Sequence, residues 1–105
     1  MRETTVQELK RLRDSGAEFQ LIDVREPHEY DICNLEGELI PMAAVPSSTN
    51  KISRDKPVII YCRSGKRSGE MVLWLEKYEG YENLSNLKGG VLAWAKEIDP
   101  SMPVY

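Results

Sequence analysis

Most of the chemistry this chain can offer lies in one stretch of nine residues, Tyr61-Cys62-Arg63-Ser64-Gly65-Lys66-Arg67-Ser68-Gly69. Three cations, Arg63, Lys66 and Arg67, follow a cysteine and are interleaved with Ser64, Gly65 and Ser68. Small residues of this kind let successive backbone N–H groups converge on an anion. The reactive form of a cysteine is the thiolate, which nearby cations and the positive end of a helix both favour. Cys62 is therefore a candidate nucleophile that needs no histidine base, and His28 is the only histidine in the chain. The competing reading of the same residues is plainer: Cys62 ends a buried strand, and a basic loop lies solvated beyond it.

The flanking residues supply the elements that would position this loop. Val58-Ile59-Ile60-Tyr61, with Pro57 before it, predicts a buried strand that ends at Cys62. Met71, Trp74, Leu75 and Tyr78 recur at helical spacing and are closed by Gly80, which predicts an amphipathic helix after the loop. A cysteine between a strand and a helix sits where open α/β sheets bind their ligands, at a strand's carboxyl end. Upstream, Thr5 with Glu8 forms a capping box for a helix carrying Val6, Leu9 and Leu12 on one face and stopped by Gly16. Phe19 to Val24 and Leu84 to Leu87 read as further strands. Gly89-Gly90 reads as a turn, and Val91, Trp94, Ala95 and Ile98 as a last helix face ending before Pro100. Unbroken apolar strands alternating with helices predict one α/β domain over residues 1–105, with a mainly parallel central sheet flanked by helices. Pro41 to Asn50 reads as a loop within it. Trp74, Tyr78 and Trp94 fall on the apolar faces and are expected in the core.

Composition limits the function classes. The chain has 105 residues, the size of one domain, and 41% of them are hydrophobic, which suits a collapsed globule. Fourteen Lys and Arg against seventeen Asp and Glu leave a net charge of −3, which argues against a nucleic-acid binder and makes any anion site local. No apolar run approaches the length of a membrane span or a signal-peptide core, so a cytoplasmic protein is expected. Cys33 and Cys62 are the only cysteines and form no C-x-x-C. With one histidine they are too few for a zinc site of Cys and His ligands, and no metal or other cofactor is expected. Cys33 is expected as a small buried hydrophobe. His28, Glu29 and Tyr30 are expected on the surface.

Over nearly its whole length the chain resembles a rhodanese-type sulfurtransferase domain. Three ordered motifs carry the resemblance: Leu21-Ile22-Asp23-Val24-Arg25-Glu26-Pro27-His28-Glu29-Tyr30, the loop Cys62 to Ser68, and Asn86-Leu87-Lys88-Gly89-Gly90-Val91-Leu92-Ala93-Trp94. Many members carry Gly-His-Ile before an Ala-rich turn, whereas here Cys33-Asn34-Leu35-Glu36-Gly37-Glu38-Leu39-Ile40-Pro41 fills that region. That variant, with the ending Ile98 to Tyr105, is similar to the rhodanese domain fused behind adenylyltransferases that activate ubiquitin-like sulfur carriers for molybdopterin or thiamine synthesis. The resemblance implies that Cys62 takes the outer sulfur of thiosulfate or a persulfide donor, holds it as a persulfide, and yields it to a thiophilic acceptor, with such a carrier and its adenylyltransferase as candidate partners. It also implies roles for the neighbours. Backbone N–H groups of Arg63, Ser64, Gly65, Lys66, Arg67 and Ser68 cradle the persulfide, and the three cations attract the donor. Asp23 accepts hydrogen bonds that shape the loop, and Arg25 lies near its rim.

Two other classes compete. A cysteine phosphatase or arsenate reductase also uses a thiolate in an anion-binding loop, but needs an arginine six positions after the cysteine to clamp a tetrahedral oxyanion. Position 68 is serine, and Arg67 comes one residue early. A non-catalytic rhodanese-like binding module usually lacks the cysteine that this chain retains.

Overall fold

The computed structural model describes all of residues 1–105. Strands β1 (Glu3–Thr4), β2 (Gln20–Asp23), β3 (Glu38–Leu39), β4 (Val58–Tyr61) and β5 (Leu84–Leu87) alternate with helices α1 (Val6–Ser15), α2 (Pro27–Ile32), α3 (Lys66–Glu79) and α4 (Gly90–Glu97). They form one five-stranded sheet of order β1-β5-β4-β2-β3, in which every pairing is parallel. β4 is the middle strand. Ile22 and Asp23 of β2 lie beside its Ile60 and Tyr61, so both strands open at the same end of the sheet.

The strand period of two divides the core between the faces. Val58, Ile60 and Cys62 point to one side, where Ile22, Val24, Met71, Val72 and Leu75 bury them under α3. Ile59 and Tyr61 point to the other, against Val6, Leu9, Leu87 and Val91 of α1, β5 and α4. Coverage on both faces explains why β4 is apolar without interruption. Burial of these side chains fixes the register of β4, and with it the position of Cys62.

The capping box of α1 forms: the Thr5 hydroxyl accepts from the Glu8 N–H at 3.1 Å, and Glu8 accepts from the Thr5 N–H at 3.2 Å. Gly16 and Gly80 end α1 and α3 in the left-handed conformation. Several expectations need correction. The segment Pro41 to Asn50 is not a plain loop but contains a six-residue 3-10 turn, Met42–Ser47, and the start of a shorter one, Thr49–Lys51. Tyr78, at the end of the apolar stripe, is 61% exposed and meets the edge of the core through Trp74. Trp74 and Trp94 are half-buried and pack against the margins of the two apolar clusters. The two-residue strands β1 and β3 have no periodicity to reveal them.

Candidate active site

Cys62 follows the carboxyl end of the central strand, and its side chain is fully buried beneath the loop that leads into α3. Its Sγ accepts from the Gly65 N–H at 3.1 Å and the Ser68 N–H at 3.4 Å, and the Ser68 Oγ lies 3.3 Å away. Gly65 caps α3 with φ 97°, a conformation that favours glycine and turns the chain so that these N–H groups converge on the sulfur. The N–H groups of Lys66 and Arg67, in the first turn of α3, have no partner within the protein.

The third sequence motif holds this loop in place. The N–H groups of Val91 and Leu92, at the start of α4, donate to the carbonyls of Cys62 and Arg63 at 3.0 Å each. Gly90 permits the approach: a Cβ there would lie 2.4 Å from the Cys62 carbonyl oxygen and 2.5 Å from that of Arg63. The side chain of Asn86, in β5, donates from Nδ2 to the Gly65 carbonyl at 2.9 Å and accepts from the Ser68 hydroxyl at 2.5 Å. With its carbonyls tied to β5 and α4, the loop keeps its N–H groups for the sulfur. The sequence marked Asn86 as part of a motif without giving it a task.

The loop cations are not equivalent. Arg63 and Lys66 are exposed, whereas Arg67 is half-buried and donates from both terminal nitrogens to the carboxylate of Glu29, at 2.8 Å each. Glu29 is 4% exposed, which corrects its expected surface position. The Arg67 guanidinium holds its carboxyl down to about 2, with further help from the Glu26 N–H. The same pairing raises Arg67 above the ordinary arginine value. His28 is exposed and Tyr30 half-buried, the latter donating to the Gly37 carbonyl at 2.9 Å.

Asp23 and Arg25 also lie differently from expectation. Asp23 makes no hydrogen bond to the Cys62 loop; its carboxylate accepts from the Nε and Nη2 of Arg25 at 2.8 to 3.1 Å, and from the Arg25 N–H at 2.9 Å. Arg25 is not at the rim but fully buried, and it donates to the Cys33 carbonyl at 2.7 Å and the Tyr105 carbonyl at 2.5 Å. A buried guanidinium requires such complete pairing. The pair thus braces α2, and Glu29 of α2 in turn fixes Arg67. Cys33 is buried, as its residue type suggested, and no disulfide forms.

Glu29, Arg63, Arg67 and Tyr105 line a cleft of about 370 Å³ over the loop. Arg63 lies over the Tyr105 ring, and Tyr105 packs edge-on against His28. Another concavity, of about 360 Å³, lies between α1 and α4 around Thr5, Gln7, Lys88 and Glu97, and holds no cysteine. No group of three or more His, Cys, Asp or Glu is placed to hold a metal ion, and no helix is long and apolar enough to cross a membrane.

Known proteins resemble this chain in sequence and in fold. A protein called Sulfurtransferase from Allochromatium vinosum is 38% identical over 88 residues, covering 83% of this chain and 80% of that protein. The probable adenylyltransferase/sulfurtransferase MoeZ of Mycobacterium tuberculosis is 38% identical over 104 residues, covering 96% of this chain. This chain spans only 26% of the length of that relative. The crystal structure of a rhodanese-like domain protein from Staphylococcus aureus superposes with a TM-score of 0.82 at 28% identity, over 100% of this chain and 99% of the other. The sequence pattern of the rhodanese-like domain matches residues 5–97, and the chain belongs to that family.

Proposed function

We propose that this protein is a sulfurtransferase that carries sulfane sulfur on Cys62. The observation that carries the reading is the convergence of the Gly65 and Ser68 N–H groups on a cysteine sulfur beside the exposed cations Arg63 and Lys66. In the loading step, a lone pair of the Cys62 thiolate attacks the outer sulfur of thiosulfate. The sulfur–sulfur bond of the donor breaks, and its electron pair leaves with sulfite. The product is a Cys62 persulfide with one negative charge on its terminal sulfur, so charge is conserved. The N–H groups of Lys66 and Arg67 have no partner in the protein and are free to meet that charge, and preorganised donors at a developing charge lower a barrier. Arg63 and Lys66 draw in the anionic donor.

A thiophilic acceptor such as cyanide then attacks the terminal sulfur and returns the thiolate, whereas an electrophilic acceptor such as an acyl-adenylate is itself attacked by that sulfur. Because Sγ is covered, only a narrow group can reach it, which suits small anions and an extended peptide tail better than a bulky molecule. The resemblance carried by Cys33 to Pro41 and the ending Ile98 to Tyr105 supports a ubiquitin-like carrier as the acceptor, with molybdopterin or thiamine synthesis as the destination of the sulfur, and the relative in Mycobacterium tuberculosis is named for both adenylyltransferase and sulfurtransferase activity. Two free cysteines fit a reducing, cytoplasmic setting.

The test is sulfur transfer from thiosulfate to cyanide by wild type, Cys62→Ser and Cys33→Ser. Loss in the first variant only is expected; equal loss in both would point to a two-cysteine mechanism. Carrier specificity is tested separately, with adenylyltransferase, ATP, carrier and reductant. Attack of the persulfide on the acyl-adenylate expels AMP and leaves an acyl disulfide, which the reductant cleaves to carrier thiocarboxylate. If the carrier is adenylated and labelled sulfur reaches cyanide but not the carrier, the protein is a general sulfurtransferase.

A further inference from the structure

The hydroxyl of Ser68 has one hydrogen and two candidate acceptors, Cys62 Sγ at 3.3 Å and Asn86 Oδ1 at 2.5 Å. Asn86 decides between them. Its Nδ2 must face the Gly65 carbonyl, which can only accept, so the amide cannot be turned around. Its Oδ1, which also only accepts, is thereby fixed toward Ser68. The serine hydrogen therefore lies on Asn86, and Ser68 Oγ presents lone pairs to the cysteine sulfur. Asn86 is 3% exposed, and the fit around it is close: a Cβ at Gly69 would lie 3.2 Å from its Nδ2, so a glycine in the first turns of α3 makes room for this side chain.

A thiol can donate its S–H to those lone pairs, but a thiolate meets them as negative against negative. To stabilise a thiolate, Ser68 would have to turn its hydrogen away from Asn86 and leave a buried amide oxygen unpaired, which is costly. A persulfide escapes the conflict, because the sulfur bonded to the cysteine is neutral and the charge sits one atom further out. We infer that Asn86, acting through Ser68, sets the hydrogen-bond polarity of the cradle against charge on Cys62 Sγ and so favours the sulfur-loaded cysteine over the empty thiolate. Resting on the sulfur-carrier reading of Cys62, this makes Asn86 a positioning residue that biases the enzyme toward loading.

The test is the pH dependence of Cys62 alkylation by iodoacetamide, followed on the Cys62 peptide by mass so that Cys33 does not contribute. Wild type, Ser68→Ala, Asn86→Ala and the double variant are compared. The charged groups around Cys62 are Arg63, Lys66 and Arg67 of its own loop, Glu29 of α2, and the Asp23–Arg25 pair at the end of β2; all are the same in the four proteins. Ser68→Ala and Asn86→Ala should each move the midpoint to lower pH by about half a unit or more, and Asn86→Ala should lower it no further once Ser68 is Ala. A merely structural role would loosen the loop and move the midpoint the other way. A shift to higher pH in either single variant, no shift in Ser68→Ala, or an Asn86→Ala shift to lower pH that persists without Ser68 would overturn the inference. Ser68→Ala keeps the Asn86–Gly65 bond and carries the test if Asn86→Ala does not fold. At a fixed ratio of thiosulfate to sulfite and a pH above both alkylation midpoints, where unloaded Cys62 is thiolate, the ratio of persulfidated to free Cys62 should fall about threefold or more in Ser68→Ala; an unchanged ratio also overturns the inference. Wild type that never loads sulfur, while Ser68→Ala still shifts the alkylation midpoint, would instead reject the sulfur-carrier reading and leave the polarity of the cradle standing.

Discussion

Glu29 and Arg67 form a two-pronged ion pair, 2.8 Å at each contact, that ties the second helix to the active loop. One of the three loop cations is therefore already neutralised, and its guanidinium serves as a strut. The positive field above the loop comes from the exposed Arg63 and Lys66.

Glu29→Gln should lower the unfolding free energy by about 2 kcal/mol at neutral pH, since it removes one partner of a mostly buried pair. Arg67 holds the Glu29 carboxyl down to about 2, below its unfolded value near 4.5. The stabilisation is therefore complete above the unfolded value and is lost as pH falls from there toward about 2. Urea titrations should show a wild-type advantage that is constant from about pH 6 to pH 8 and gone near pH 2. An advantage that persists at the acid end would mean that the pair contributes little.

Arg63 and Arg67 should respond differently to truncation. Arg63→Ala should raise KM for thiosulfate by about three- to tenfold with kcat nearly unchanged, because an exposed cation attracts the donor without holding the loop. Arg67→Ala should lower stability and kcat together, because the loop loses its tie to α2. Steady-state kinetics beside thermal melts separates the two patterns.

Gly90→Ala should cost about 2–4 kcal/mol, combining a left-handed φ of 58° with a clash against the carbonyls of Cys62 and Arg63. Sulfur transfer should fall further than the loss of folded protein explains, since the clash falls on the active loop. Activity per folded molecule equal to wild type would show that the loop tolerates the shift.

Turnover of p-nitrophenyl phosphate or arsenate should be negligible beside sulfur transfer. The place where a phosphatase loop would carry arginine holds Ser68, whose Oγ sits 3.3 Å from the sulfur and narrows the cradle. Robust phosphatase activity lost in Cys62→Ser would overturn the choice of reaction.

The central strand, the loop and α3 were legible in the sequence because burial and helical spacing act locally on residue type. Cys62 could be singled out for the same reason, since its strand, its cations and its small neighbours are adjacent in the chain. Relationships between distant segments were not legible. Glu29 looks like one more surface carboxylate until Arg67, 38 residues away, is folded against it. Asp23 and Arg25, two positions apart, read as loop partners, yet they satisfy each other and brace α2. Asn86 sat in a recognised motif, but the carbonyl and hydroxyl that give its side chain a task come from another element. Tyr78 shows the opposite failure, because helical spacing assigns it to an apolar face, yet in the last turn of α3 it stays exposed.

The central claim is that Cys62, and no other atom of the protein, carries sulfur. Intact-mass measurement after incubation with thiosulfate and removal of excess donor tests it most directly. Wild type and Cys33→Ser should each gain the mass of one sulfur atom, released by dithiothreitol, and Cys62→Ser should gain none. Wild type that gains no mass, or Cys62→Ser that still gains it, would contradict the account.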